Sequence, residues 1–159
     1  MAIFSAVASG VAVSAAQDVF ELVAGPATRV RMREIRLGQT SDFGDAAAEG
    51  LSVTLVRGFT TAGSGGASVV PANLAGHASA AAATSTVKRN NTTLAQDGTG
   101  AVLCADAWNI QEGWCYAPPR DAMPILEKSQ RLVVRINAPA DEITVNATLV
   151  FEEIGEVAG

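Results

Sequence analysis

Catalysis and metal binding need particular side chains at particular spacings, and this chain offers few. His77 is the one histidine. To act as a general base it needs a nucleophile on a constrained turn and a third group orienting its ring. No G-x-S-x-G elbow is present, and Ser64-Gly65-Gly66 does not make one. His77 therefore reads as a loop residue. Cys104 and Cys115 have no second pair at zinc spacing, and one histidine cannot complete a closed site. Asp42, Asp45 and Glu49 have the charge to hold a hard cation. They lack the D-x-[DN]-x-[DN]-G pattern of a calcium loop, so a polar turn is the plainer reading. Gly63, Gly65 and Gly66 are followed by no Lys-Ser/Thr, which removes a phosphate loop. Glycoside hydrolysis needs two carboxylates across a cleft, but with 16 acids in the chain spacing alone singles out no pair. No catalytic, cofactor-binding or metal-ligating residue is assigned, and no cofactor is expected.

The aromatic residues are the next candidates. Trp108, Trp114 and Tyr116 flank a turn at Gln111-Glu112. A two-residue turn there makes a hairpin that pairs Ile110 with Gly113 and sets Cys115 opposite Trp108. Cys104 then falls about four residues down the partner strand, too far for a disulfide. Two buried free thiols are expected, in keeping with a reducing compartment. Trp108 is in phase with Val102 and Cys104 and belongs in the core. Trp114 and Tyr116 share a face. Exposed, they would stack on a sugar ring or a partner surface; buried, they would fill the core.

The elements that must carry these residues have period 2. Leu51, Val53 and Leu55 alternate with Ser52 and Thr54, and Leu132, Val134 and Ile136 with Arg131, Arg135 and Asn137. Ile143, Val145, Ala147, Leu149 and Phe151 make the clearest strand. In 28–38, Val30 and Met32 are even-numbered while Ile35 and Leu37 are odd-numbered. One face holds all four only if a β-bulge near Arg33-Glu34 resets the phase. An amphipathic helix is the alternative, disfavoured by Gly38 and the β-branched residues. Turns at Ala24-Gly25-Pro26, Ser41 to Asp45, Asp97 to Gly100, Ala117 to Arg120 and Ala138 to Asp141 separate the runs. Ala46, Ala47, Ala48 and Glu49 have room for one helical turn. The expectation is an all-β, single-domain β-sandwich of jelly-roll type, with about eight or nine strands and little helix.

The 159 residues suit one domain. Residues 17–155 form the expected sandwich, and 1–16 an apolar N-terminal arm or first strand. The opening MAIFSAVASGVAVSAAQ carries no Lys or Arg ahead of its apolar stretch, so a cleaved leader is not expected, and Val11 and Val13 alternate as in a strand. Without a leader, the glycosylation tripeptides at Asn90, Asn91 and Asn146 are chance matches. No run of about 18 residues is apolar enough for a membrane helix. The net charge of −5 gives no general attraction to nucleic acid. Charge is nonetheless uneven: Arg29, Arg31, Arg33 and Arg36 form a basic run, and Glu152, Glu153 and Glu156 an acidic one. This pattern suits docking between subunits, or simply two solvated strand faces. Residues 58–83 are rich in Gly, Ser and Ala, and unusually long for a loop in a compact domain. Ordering on a neighbouring subunit and a partly disordered surface loop are the two readings.

Four segments in order carry a resemblance: QDVFELVAGPATRVRMREIRLGQTSD, LSVTLVRGFTTAGSGG, AWNIQEGW, and ILEKSQRLVVRINAPADEITVNATLVFEEI. They run from Gln17 to Ile154, and no one of them is specific alone. Together they resemble a small virion structural protein of tailed bacteriophages, of the capsid decoration (cement) or accessory head and tail kind. The resemblance implies a β-sandwich that sits on the virion, binds the major capsid protein or other virion proteins, and oligomerises, with a trimer favoured. Assembly would take place in the host bacterial cytoplasm. No catalytic residue is carried over. A tail or head fibre or receptor-binding component is the alternative, and a β-sandwich glycan-degrading enzyme a remote one. The expected adhesive parts are the arm at 1–16 and the loop at 58–83.

Overall fold

Strict alternation of apolar and polar side chains buries one face of each strand, and two such faces must cover each other. The computed structural model describes residues 2–44, 49–76 and 81–155. His77, Asp45, the Ala46 to Ala48 turn and Glu156 lie outside the described residues. Among the described residues twelve strands are seen: β1 (Ala2–Val13), β2 (Gln17–Val23), β3 (Arg29–Gln39), β4 (Gly50–Arg57), β5 (Ala67–Val69), β6 (Ala72–Asn73), β7 (Thr86–Asn91), β8 (Ala101–Asn109), β9 (Trp114–Tyr116), β10 (Ile125–Leu126), β11 (Arg131–Ile136) and β12 (Ile143–Ile154). β5, β6, β9 and β10 are pieces of two or three residues, and the other eight match the expected number. The one helical element among the described residues is a 3-10 turn at Arg120–Ala122.

The strands form two antiparallel sheets. The first runs β10-β3-β12-β1-β6, with β9 also on β3, and the second runs β5-β7-β2-β11-β4-β8. β1 pairs β12 in one layer while β2 pairs β11 in the other, and β3 and β4 then join those pairs from outside. β8 and β9 close the two edges on β4 and β3. The layers β1-β12-β3-β9 and β2-β11-β4-β8 are therefore the two sheets of a jelly roll. β5, β6 and β7 come from the long β4–β8 connection and extend the opposite edges.

One core lies between the sheets. Phe4, Phe20, Phe151, Trp108, Leu22 and Met32 are among its largest fully buried side chains. Phe4 and Phe151 are cross-strand partners whose rings stack at 5.6 Å. Each such burial stabilises by about 1.5–3 kcal/mol. Along β12 the residues Ile143, Val145, Ala147, Leu149 and Phe151 are all buried, as their alternation demands.

Bulges keep the irregular strands in phase. Glu34 pairs Val150 and Met32 pairs Phe151, so Arg33 is the extra residue. Val30, Met32, Ile35 and Leu37 are thereby all buried. In β1, Ser9-Gly10 faces Asn146 alone, and the Asn146 Oδ1 accepts from Gly10 N at 2.7 Å. Gly10 has φ +64, which glycine adopts without steric cost. A bulge at Val19 sets Asp18 and Glu21 on the same outer face of the second sheet. Another at Leu103 takes Val102 out of phase, leaving it 61% exposed. The expectation that Val102 shares the Trp108 face is corrected by that bulge.

Candidate functional site

The described residue types that could do chemistry are concentrated on the outer face of the second sheet. Asp18 and Glu21 of β2 are almost fully buried there, beside Arg131 and Arg135 of β11. Arg135 donates from Nε and Nη2 to Asp18 at 2.7 and 3.2 Å, and Ala95 N donates to Asp18 Oδ2 at 2.7 Å. Arg131 Nε donates to Glu21 Oε1 at 2.9 Å, while Gly63 N and Asn91 Nδ2 both donate to Oε2 at 2.8 Å. Every carboxylate oxygen of the pair is satisfied by charge-assisted or buried bonds. Two carboxylates on one strand have the composition of an acid/base pair. These two instead fasten the chain: both are closed over by 58–66 and 92–97.

This arrangement explains the glycines of 58–66. Thr61 bridges Gln96, and Ser64 bridges Thr93, so the segment lies along the sheet as extended chain. A Cβ on Gly63 would meet Glu21 Oε2 at 2.9 Å, and one on Gly66 would fall on the Arg89 carbonyl. Gly65 sits at φ +84 against the Thr92 hydroxyl. The segment is thus part of the chain's own outer layer. Residues 67–73 supply β5 and β6, and 77–80 lie outside the described residues.

The basic run and the C-terminal acids meet each other. β3 and β12 are neighbours, and Arg31 and Arg33 both reach Glu152 Oε2, at 3.4 and 3.3 Å. Arg36 pairs Glu34, and Arg29 pairs Glu127 at 3.9 Å. Glu153 Oε1 accepts from Thr84 N and Ser85 N at 2.8 and 2.7 Å.

The aromatic group differs from the expected hairpin. β8 pairs β4 in the second sheet and β9 pairs β3 in the first, so 110–113 crosses between sheets and the two strands do not pair. Trp108 is buried as expected, its Nε1 donating to Glu112 O at 2.8 Å. Trp114 is also buried, stacked on half-buried Tyr116 at 6.3 Å. Its Nε1 donates to Asp106 Oδ2 at 3.0 Å, tying one sheet edge to the other. That bond, and a second from Ala107 N, hold the Asp106 carboxyl below its ordinary value. Burial, then the charge of Asp106, pushes the Cys104 thiol up; burial, then Cys104, raises the Tyr116 hydroxyl. A thiol held protonated is a poor nucleophile. Both cysteines are free, but Cys115 is exposed and Cys104 half-buried, correcting the expectation of two buried thiols.

Asp42 and Glu49 do approach each other, joined by Asp141 from the β11–β12 turn, with one oxygen of each within 4.8 Å of the others. Glu49 Oε1 also accepts from Ala140 N. The cluster brings the turn after β3 and the turn before β12 together.

The N-terminal residues 2–13 take the strand alternative, as β1. The edge they share with β6 is where apolar side chains stay open. Leu74 N donates to Ile3 O at 2.8 Å, and Leu74 is 55% exposed. Val7 and Val70, each two residues beyond the Ser5–Ala72 rung, are 48% and 90% exposed. No signal in the alternation alone marked this edge, because an outward Val on a strand looks like any other half-buried position. No protein-family model, curated protein or solved structure matches the chain.

Proposed function

We propose that this chain is a non-catalytic structural protein of a tailed-phage virion that decorates and stabilises the capsid by binding the major capsid lattice. The observation that carries the reading is the open apolar edge of β1 and β6, with Val7, Val70 and Leu74 exposed. The polar groups on the outer face of the second sheet are, by contrast, bonded to one another. An exposed apolar patch rimmed by polar residues is a feature of interaction surfaces. The jelly roll supports the reading too, since it recurs in viral capsid domains, although fold by itself does not assign function. Many weak contacts repeated over a lattice raise apparent affinity without any single large interface. Assembly as a homo-oligomer, a trimer on three-fold lattice positions, fits the same picture.

Quantitative mass spectrometry of purified virions is the test. A decoration role gives copy numbers comparable to those of the major capsid protein. A handful of copies per particle would replace this reading with a tail or head fibre role.

A further inference from the structure

A concave surface lies at the end of the sandwich where β4 leaves the second sheet. It is a cleft of about 540 Å³, lined among others by Arg57, Phe59, Thr60, Thr99, Ser129 and Gln130. Arg57 is half-buried, and its Nη1 donates to Ile125 O at 2.9 Å. Among the described residues no carboxylate pairs with it. Arg29, Arg31, Arg33, Arg36, Arg131 and Arg135 each have such a partner. A guanidinium has five N–H donors in a planar fork, and only one here is used. A guanidinium fork with unused donors at a cleft wall matches a planar carboxylate bidentately, so the cleft favours an anion.

The rest of the lining narrows the ligand. Thr60, Thr99 and Ser129 offer hydroxyls and Gln130 an amide. The Gln130 Oε1 accepts from Glu127 N at 3.0 Å, which fixes that side chain. Ser129 is held at φ +59, a strained position for a residue with a Cβ, and Gly58 at φ +99. Arg131 also lines the cleft, but its charge is matched by Glu21. The wall therefore holds one unmatched cation among neutral donors and acceptors. Ligand sites span roughly 300–1,000 Å³, so the cleft has room for a compact polar molecule.

We propose that this cleft binds a carboxylate-bearing sugar of the hexuronate class. Its carboxylate would meet the free donors of Arg57 and its ring hydroxyls the Thr, Ser and Gln side chains. The site is separate from the apolar β1–β6 edge, and does not depend on the capsid role.

The test is an NMR titration of the full chain with glucuronate and galacturonate, set beside glucose, free glutamate and inorganic phosphate. The expected result is saturable shifts at 57–60, 99–101 and 129–131 with the uronates only. Arg57→Gln should weaken binding by ~10-fold or more, because a bond to a charged group is lost. Should Arg57→Gln fail to fold, Thr99→Val keeps the shape, removes one hydroxyl and should weaken binding severalfold. Absence of saturable shifts with either uronate would overturn the proposal. Phosphate or glutamate binding as tightly as the uronates would also overturn it, making the cleft a general anion or acidic-peptide site.

Discussion

The outer face of the second sheet and the β1–β6 edge of the first are built from the same kind of strand and end in opposite states. On the second sheet, Asp18, Glu21, Arg131 and Arg135 face outward, and the chain returns through 58–66 and 92–97 to cover them. On the first sheet, the edge at β1 and β6 presents Val7, Val70 and Leu74 with nothing from the chain's described residues over them. Charged groups that leave water need complete bonding, so a covered ionic layer must be closed. Apolar groups carry no such requirement and can wait for a partner. The glycine-rich segment 58–83 is divided between the two: 58–66 lies on the chain's own surface, while Val70 and Leu74 stay open.

The most severe way to break this contrast is to remove a buried carboxylate. Glu21→Ala strips the partners of Arg131 Nε, Gly63 N and Asn91 Nδ2, and should cost about 3–5 kcal/mol, as breaking a buried pair does. Urea unfolding would measure it, and a loss under 1 kcal/mol would show the layer is not closed as described. Gly66→Ala places a methyl on the Arg89 carbonyl, so the 58–66 segment must lift. Overpacking of this kind costs about 1–3 kcal/mol. Limited proteolysis should then cut within 58–66, where the parent chain should resist.

On the open edge the expected pattern reverses. The pair Val7→Asp and Leu74→Asp should shift stability by no more than about 0.5 kcal/mol each, as surface changes do. Under the proposed function, co-sedimentation with capsids should fall sharply. Unchanged co-sedimentation would move the contact surface elsewhere.

The smallest effect concerns the link between the sheets at Asp106. Its folded pKa is lowered, first by the Trp114 indole and then by Ala107 N. Stability from a lowered carboxyl is present above its ordinary pKa and lost as pH falls through the folded value. Asp106→Asn should therefore be slightly less stable than the parent at neutral pH, and the gap should close in acid. Thermal melting of both chains across that range would show it; a gap that widens in acid would assign the effect to another group.

The sequence by itself determined the layers. Period-2 alternation requires half-buried strands, and the phase break between Met32 and Ile35 could be repaired only by an added residue, found at Arg33. Both follow from a local rule about which way consecutive side chains point. What only the tertiary structure decided is which strands share a sheet and which outer faces are covered. Trp108 and Trp114 flank a turn that looks like a hairpin, yet they join different sheets, because pairing depends on where β4 and β3 already lie. Nothing in the local pattern marks Asp18 and Glu21; a bulge at Val19 aligns them, and distant segments around Gly63 and Ala95 close over Glu21 and Asp18 respectively. Burial of a side chain is a property of what returns to cover it, and no local pattern carries that information.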